Sequence, residues 1–343
     1  MTERSRLPWA LAALLVAGGC GGKTIVLGTS WPILYHFHVP APVTELASAM
    51  RTDNPTLTGD MLEIYFTSLR DGGPGDGDIW VAKRATTDAP FGTPALVDGV
   101  NTPSFETSSA ISTDGLTLWF GSDRPGGLGA TDIWMSQRAT RNDPWSTPLD
   151  LVGINSSAED IPRPPGLHGT VMPMASARGA ASYQTYFATR SGSSAAFGTP
   201  VPVAGIDEPD KLIVDGFLTD DGLTFFYSAA PLLFPAGRAG DAGDAGWRGD
   251  AGSRADGGAR SDAAAQSDAG APPDGGAMVG TSDLFVAWRR STTEPFVALM
   301  PLTDLNTSAN ERDPWLSPDG STFFFTSDRD GVPNIYSVSV RPR

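Results

Sequence analysis

The sequence predicts an all-β fold, a five-bladed β-propeller, from three observations. One motif recurs at steps of about 54 residues, its strands are apolar on both faces, and the outer piece missing from the last repeat is found near the start of the chain. A sixth blade is the alternative, but no further copy of the motif remains to build it.

The repeat is clearest in "STDGLTLWFGSDRPGGLGATDIW" (Ser112 to Trp134) and "SPDGSTFFFTSDRDGVPNIY" (Ser317 to Tyr336). Aligned on the serine after each aromatic run, five units fall on Ser68, Ser122, Ser176, Ser228 and Ser327, with steps of 54, 54, 52 and 99. An arginine follows two places later in four of them, at Arg70, Arg124, Arg178 and Arg329, with Ala230 the exception. An acid stands eight places before the serine at Asp60, Asp114, Asp220 and Asp319. Downstream come "DIWVAKR", "DIWMSQR", "YQTYFATR", "DLFVAWR" and "NIYSVSV", and then an aromatic-x-x-Pro signal at Phe91/Pro94, Trp145/Pro148 and Phe197/Pro200.

Each unit reads as a small antiparallel sheet. Asp114-Gly115 is a turn signal, since glycine accepts positive φ and aspartate bonds the turn backbone. In the strand that follows, Leu116, Leu118 and Phe120 share one face and Trp119 lies on the other. Such a strand must be covered on both sides, which stacking between neighbouring sheets provides. The third unit departs most: it lacks the Asp-Gly turn and carries Pro173, which predicts a strand bent or locally unpaired there.

The 99-residue step contains an Ala/Gly/Asp tract, residues 237–280, with Asp at every sixth position from 244 to 274. Its composition offers almost no apolar surface to offset the entropy of ordering, so a disordered insertion between the second and third strands of the fourth blade is expected. Loop-closure entropy grows only logarithmically, so the ring tolerates it. The last unit ends after its third strand, and Phe37/Pro40 supplies the missing outer signal 54 residues before Phe91. The N-terminal segment is therefore expected to complete the C-terminal blade and remove the open edge.

These residues resemble the Ser-Pro-Asp-Gly repeats of TolB-type, WD-like bacterial propellers, over residues 31–236 and 281–343. The resemblance implies a propeller and leaves function open. This chain departs from it in the degenerate third unit, the long insertion and a longer period.

Composition narrows the function. A formal charge of -15 argues against nucleic acid, which requires cationic side chains to displace phosphate counterions. The chain opens with Arg4 and Arg6, an apolar run from Leu7 to Val16, and small residues ending at its single cysteine, Cys20. That pattern reads as a secretory signal over residues 1–19 with a lipid-accepting Cys20, a tether over 20–30 and the propeller over 31–343. Gly21 after the cysteine favours the outer membrane.

No cofactor or metal site is expected. His36 and His38 alternate on a strand but no third ligand is signalled, and Asp71, Asp76 and Asp78 lack the spacing of a calcium loop. Because they recur from blade to blade, Asp123, Arg124, Asp328, Arg329, Arg70 and Arg178 are expected to be structural, the Asp bonding loop amides and the Arg bridging to a neighbouring blade. The function expected is a lipid-tethered scaffold for an unidentified envelope protein or glycan. The alternative is a carbohydrate-active enzyme, which requires two of Glu63, Glu106, Glu159, Glu208 and Asp215 to converge about 5–10 Å apart at one mouth of the channel. Cys20→Ser should move the protein from the membrane pellet to the soluble fraction on cell fractionation; unchanged sedimentation would refute the anchor.

Overall fold

The computed structural model describes residues 35–179, 183–206, 211–233 and 278–342. Cys20, the leader and most of the Ala/Gly/Asp tract lie outside them. The described residues form five antiparallel sheets and no helix. Blade 1 comprises β3 (Thr52–Leu57), β4 (Glu63–Ser68), β5 (Asp78–Lys83) and β6 (Ala95–Leu96). Blade 2 comprises β7 (Glu106–Ile111), β8 (Thr117–Ser122), β9 (Asp132–Gln137) and β10 (Leu149–Asp150), and blade 3 β11 (Asp160–Pro162), β12 (Val171–Ser176), β13 (Gln184–Thr189) and β14 (Val201–Pro202). Blade 4 is β15 (Lys211–Leu218), β16 (Thr224–Leu233), β18 (Asp283–Trp288) and β19 (Val297–Pro301), with β17 (Met278–Val279) paired to the end of β16.

The fifth sheet closes the ring. It contains β20 (Glu311–Leu316), β21 (Thr322–Ser327) and β22 (Asn334–Pro342), and it takes its outer strands from the other end of the chain. β2 (Ala41–Pro42) pairs Ala41 with Ser337 and Pro42 with Tyr336, and β1 (Tyr35–Phe37) runs from Tyr35 opposite Pro342 to Phe37 opposite Val340. The chain is a five-bladed β-propeller.

Apolar seams hold neighbouring blades together. Leu118 and Phe120 of β8 face Tyr65 and Ile79 of blade 1, whereas Trp119 faces Met172, Met174 and Tyr186 of blade 3. Blades 3 and 4 meet through Phe187 and Phe225, and blades 4 and 5 through Phe226 and Phe323. At the closing seam, Trp315, Phe324 and Ile335 pack with Leu57, Ile64, Phe66 and Trp80.

The Asp-Gly turns take the expected form, with one shift. Asp114 accepts from the Leu116 amide at 2.9 Å, and Gly115 sits at φ +75°. In blade 4 this role falls to Asp221, which accepts from the Leu223 amide at 2.9 Å, while the aligned Asp220 accepts from the His168 amide instead. In blade 1, Met61 takes a positive φ of 59° where the other turns use glycine.

Pro173 stays within β12, in continuous register with β13 opposite Phe187. On the other side β11 ends with Pro162 opposite Met174, and the Arg163 amide still donates to the Pro173 carbonyl at 2.9 Å, so the local unpairing expected at Pro173 is not seen. The inner strands of the other four blades continue through bulges. The tail of the 237–280 tract is paired, with Met278 and Val279 opposite Leu233 and Leu232.

Trp134 is buried in the seam between blades 1 and 2. Trp134→Ala should cost about 3–5 kcal/mol in denaturant unfolding, as expected for a large buried aromatic. A loss well under 1 kcal/mol would remove it from the seam.

Candidate functional site

In every blade but the fourth, the Ser-x-Arg loop holds the blade to the connector that precedes it. Arg124 donates through Nε to Ser122 and through Nη2 to the Val100 carbonyl at 2.7 Å and to Glu106 Oε1 at 3.0 Å. Arg329 repeats this on Ser327, Leu305 O and Glu311, and Arg178 on Ser176, Ile154 O and Asp160. Arg70 uses Ser68, Leu46 O and Thr52, a hydroxyl where the others have a carboxylate. Asp123 accepts from the Phe105 amide at 2.8 Å and Asp328 from the Asn310 amide at 2.7 Å.

Two further repeated contacts escaped the sequence reading. Arg84, Arg138, Arg190 and Arg289 lie 4.3–4.7 Å over Phe91, Trp145, Phe197 and Phe296, the aromatics that precede the outer strands. Asn101, Asn155 and Asn306 each bond both backbone groups of a third-strand residue, namely Ile79, Ile133 and Leu284. Constant offsets, seven residues from Arg to aromatic and 22 from strand to Asn, were the available signals.

The repeat breaks its symmetry at the axis. Inner-strand bulges place Asn54, Ser108, Asp215 and Asp313 at φ of 53–55°. Blade 3 has Pro162 at the corresponding position and contributes Arg163. Arg163 donates to Asn54 Oδ1 at 2.5 Å, forms an ion pair with Asp215 and lies 3.4 Å from Asp313. Asp313 accepts from the Asn54 amide, Ser108 donates to Asn54 Oδ1, and Ser228 donates to Asp215. One buried residue from every blade thus joins a single polar knot. Burial lowers the Arg163 pKa, against an opposing pull from Asp313 and Asp53.

Above the knot, between blades 2, 3 and 4, lies a small cavity of about 70 Å³. Its lining includes the buried Ser108, Ile161, Arg163, Tyr183, Val214 and Asp215 on the inner side, and the half-buried Phe105 and Glu159 with the exposed Asp123 towards solvent. Tyr183 donates its hydroxyl proton to Glu159.

Of the acids singled out, Glu159 and Asp215 share this cavity. Glu106 is committed to Arg124. Glu63 lies at the seam of blades 1 and 2, bonded to Arg138, Lys83 and Tyr65. Burial alone would raise its pKa, but those three bonds outweigh it and bring the pKa below the ordinary value. Glu208 lies outside the described residues. His36 and His38 are exposed, and His168 approaches Asp220 at 3.4 Å. Among the described residues no group of three or more His, Cys, Asp or Glu side chains is placed to hold a metal.

No protein-family model matches the sequence, and the search of curated proteins found no relative. Solved structures do match. The fold is similar to that of a protein assigned as TolB in Agrobacterium tumefaciens. That likeness has 10% identity and a TM-score of 0.45 over 86% of this chain and 81% of the other. An endo-arabinase from Bacteroides thetaiotaomicron is similar at 12% identity and a TM-score of 0.46, over 90% of this chain and 97% of the other. Prolyl oligopeptidase B from Galerina marginata is matched over 82% of this chain at 10% identity and a TM-score of 0.40, but the chain spans only 31% of that protein.

Asp78, at the start of β5, supplies a pH test. Burial pushes its pKa up to about 6, against a bond from the Gly75 amide, with Glu106 and Asp76 adding to the rise. Between its unfolded value of about 4 and about 6, the folded chain binds the proton more tightly than the unfolded chain, so its contribution to stability falls as pH rises. Asp78→Asn should therefore melt higher than the parent at pH 7, with the advantage vanishing below about pH 4.

Proposed function

We propose that the chain is a lipid-anchored propeller of the bacterial cell envelope, directed to the outer membrane, which docks a protein or glycan at its ring face and does not catalyse a reaction. The anchor and location rest on the sequence around Cys20. The docking reading rests on one observation, a formed cavity whose inner side has its charges committed to each other. Binding sites are concave, largely preformed and lined by apolar surface with a few convergent polar groups.

A second reading has a specific observation in its favour. Glu159 and Asp215 line the same cavity, as a glycoside hydrolase would need. Against it, Asp215 is held in place by Arg163 and Ser228, so it is not free to act as a nucleophile or to activate water.

Affinity capture from envelope extracts with the full chain, followed by incubation of the same protein with polysaccharides, separates the two readings. Docking predicts a retained partner that is lost from Glu159→Gln, with no release of reducing ends. Release of reducing ends that disappears in Asp215→Asn would establish the enzyme instead.

A further inference from the structure

We infer that the groove between blades 2 and 3, at the Asp-Gly turn end of the strands, binds the carboxylate of a small ligand, at a site separate from the cavity above the axial knot. The repeat itself carries the argument. In the seam of blades 1 and 2, Glu63 opens the second strand of blade 1 opposite Lys83, and its carboxylate accepts from Arg138 Nη2 of blade 2 at 2.9 Å. Arg138 is fixed for that task, donating through Nε to the Gly115 carbonyl and lying 4.4 Å over Trp145. One seam further round, Arg190 of blade 3 repeats the arrangement, donating through Nε to the Gly169 carbonyl and lying 4.3 Å over Phe197. The position of Glu63 is held there by Thr117, opposite Gln137 in the same register. Arg190 thus keeps the support and loses the carboxylate: among the described residues its Nη2 has no hydrogen-bond partner, and it stays open to solvent.

Space is left where the side chain is missing. Arg190 and Thr117 line a groove of about 960 Å³, which is within the range of small-molecule sites. The exposed Gln137, Ser193 and Ser194 stand on the same walls and add neutral donors. The groove also carries Asp114 and Asp220, but each is engaged by a turn, Asp114 accepting from the Leu116 amide and Asp220 from the His168 amide. Neither acts on Arg190, whose pKa is lowered by burial with no carboxylate opposing the fall. Arg84, at the corresponding place in blade 1, differs here, because Asp88 and Glu45 pull its pKa back up. A partly buried guanidinium without a counter-charge is stabilised by an anion, and its fork matches the planar carboxylate that Arg138 already holds.

The test is calorimetry on the full chain in detergent. Glutarate and glucuronate are the carboxylate probes, glutaramide and glucose their neutral counterparts, and inorganic phosphate the rival anion. At least one carboxylate should bind with a Kd on the order of millimolar or tighter. Arg190→Gln should weaken it by about tenfold or more. Thr117→Glu should do the same by another route, setting a carboxylate of the chain's own on Arg190 as Glu63 is set on Arg138, while the melting temperature holds or rises. That second variant keeps the test decisive if losing the stack of Arg190 on Phe197 disturbs the fold. Four results would overturn the inference: no binding of either carboxylate, equal binding of the neutral counterparts, preference for phosphate, or full affinity in Thr117→Glu. A loss of binding in Glu159→Gln would also overturn it, by placing the ligand in the axial cavity. Preference for glutarate or for glucuronate supports it and assigns the carboxylate to an aliphatic acid or to a sugar acid.

Discussion

Each blade buries aromatic side chains on both faces, so a blade at the end of a row would expose one of them to water. Phe120 and Trp119, adjacent in sequence, point into different seams and need different neighbours. Five sheets satisfy that demand only by returning to the first, which makes the seam of Trp315, Phe324 and Ile335 against Leu57, Ile64 and Phe66 the contact on which the other four depend. The N-terminal strands serve the same end: by pairing with β22 they give the last blade the outer edge that blades 1 to 4 form from their own segments.

Apolar seams set which faces meet, but they are permissive about angle. Directional bonds in the connectors add that constraint. Arg124, Arg178 and Arg329 each join a strand end, a connector carbonyl and a fully buried carboxylate, so the turn from one blade to the next is fixed by charge-assisted geometry. Paired in this way, Glu106, Asp160 and Glu311 can sit at zero exposure without the cost of a lone buried charge. Asn101, Asn155 and Asn306 extend the principle by presenting an amide to a third strand as another strand would.

Ring, blade count and closure were legible because they are written in period and in two-faced strands, which local sequence carries directly. The hairpin of blade 4 was misaligned by one residue because Asp220 and Asp221 are both acids, and only backbone bonding tells them apart. The axial knot was not legible. Asn54, Ser108, Asp215 and Asp313 are not one residue type, and what all four share is a left-handed backbone at a bulge. Arg163 was visible only as part of the misfit of the third unit, where Pro162 shortens the inner strand and a cation follows. Five residues of four types meeting on one axis is a long-range fact with no local spelling. For the same reason the sequence listed Glu159 and Asp215 without bringing them together.

Tyr35 lies opposite Pro342, so the described chain enters and leaves the ring on the same edge of one blade. Tension arriving from the N-terminal side reaches the fold first through the three paired residues of β1 and then through the two of β2. Those short strands act as a mechanical fuse: peeling them from β22 uncovers the outer edge of the fifth blade before any other sheet bears load.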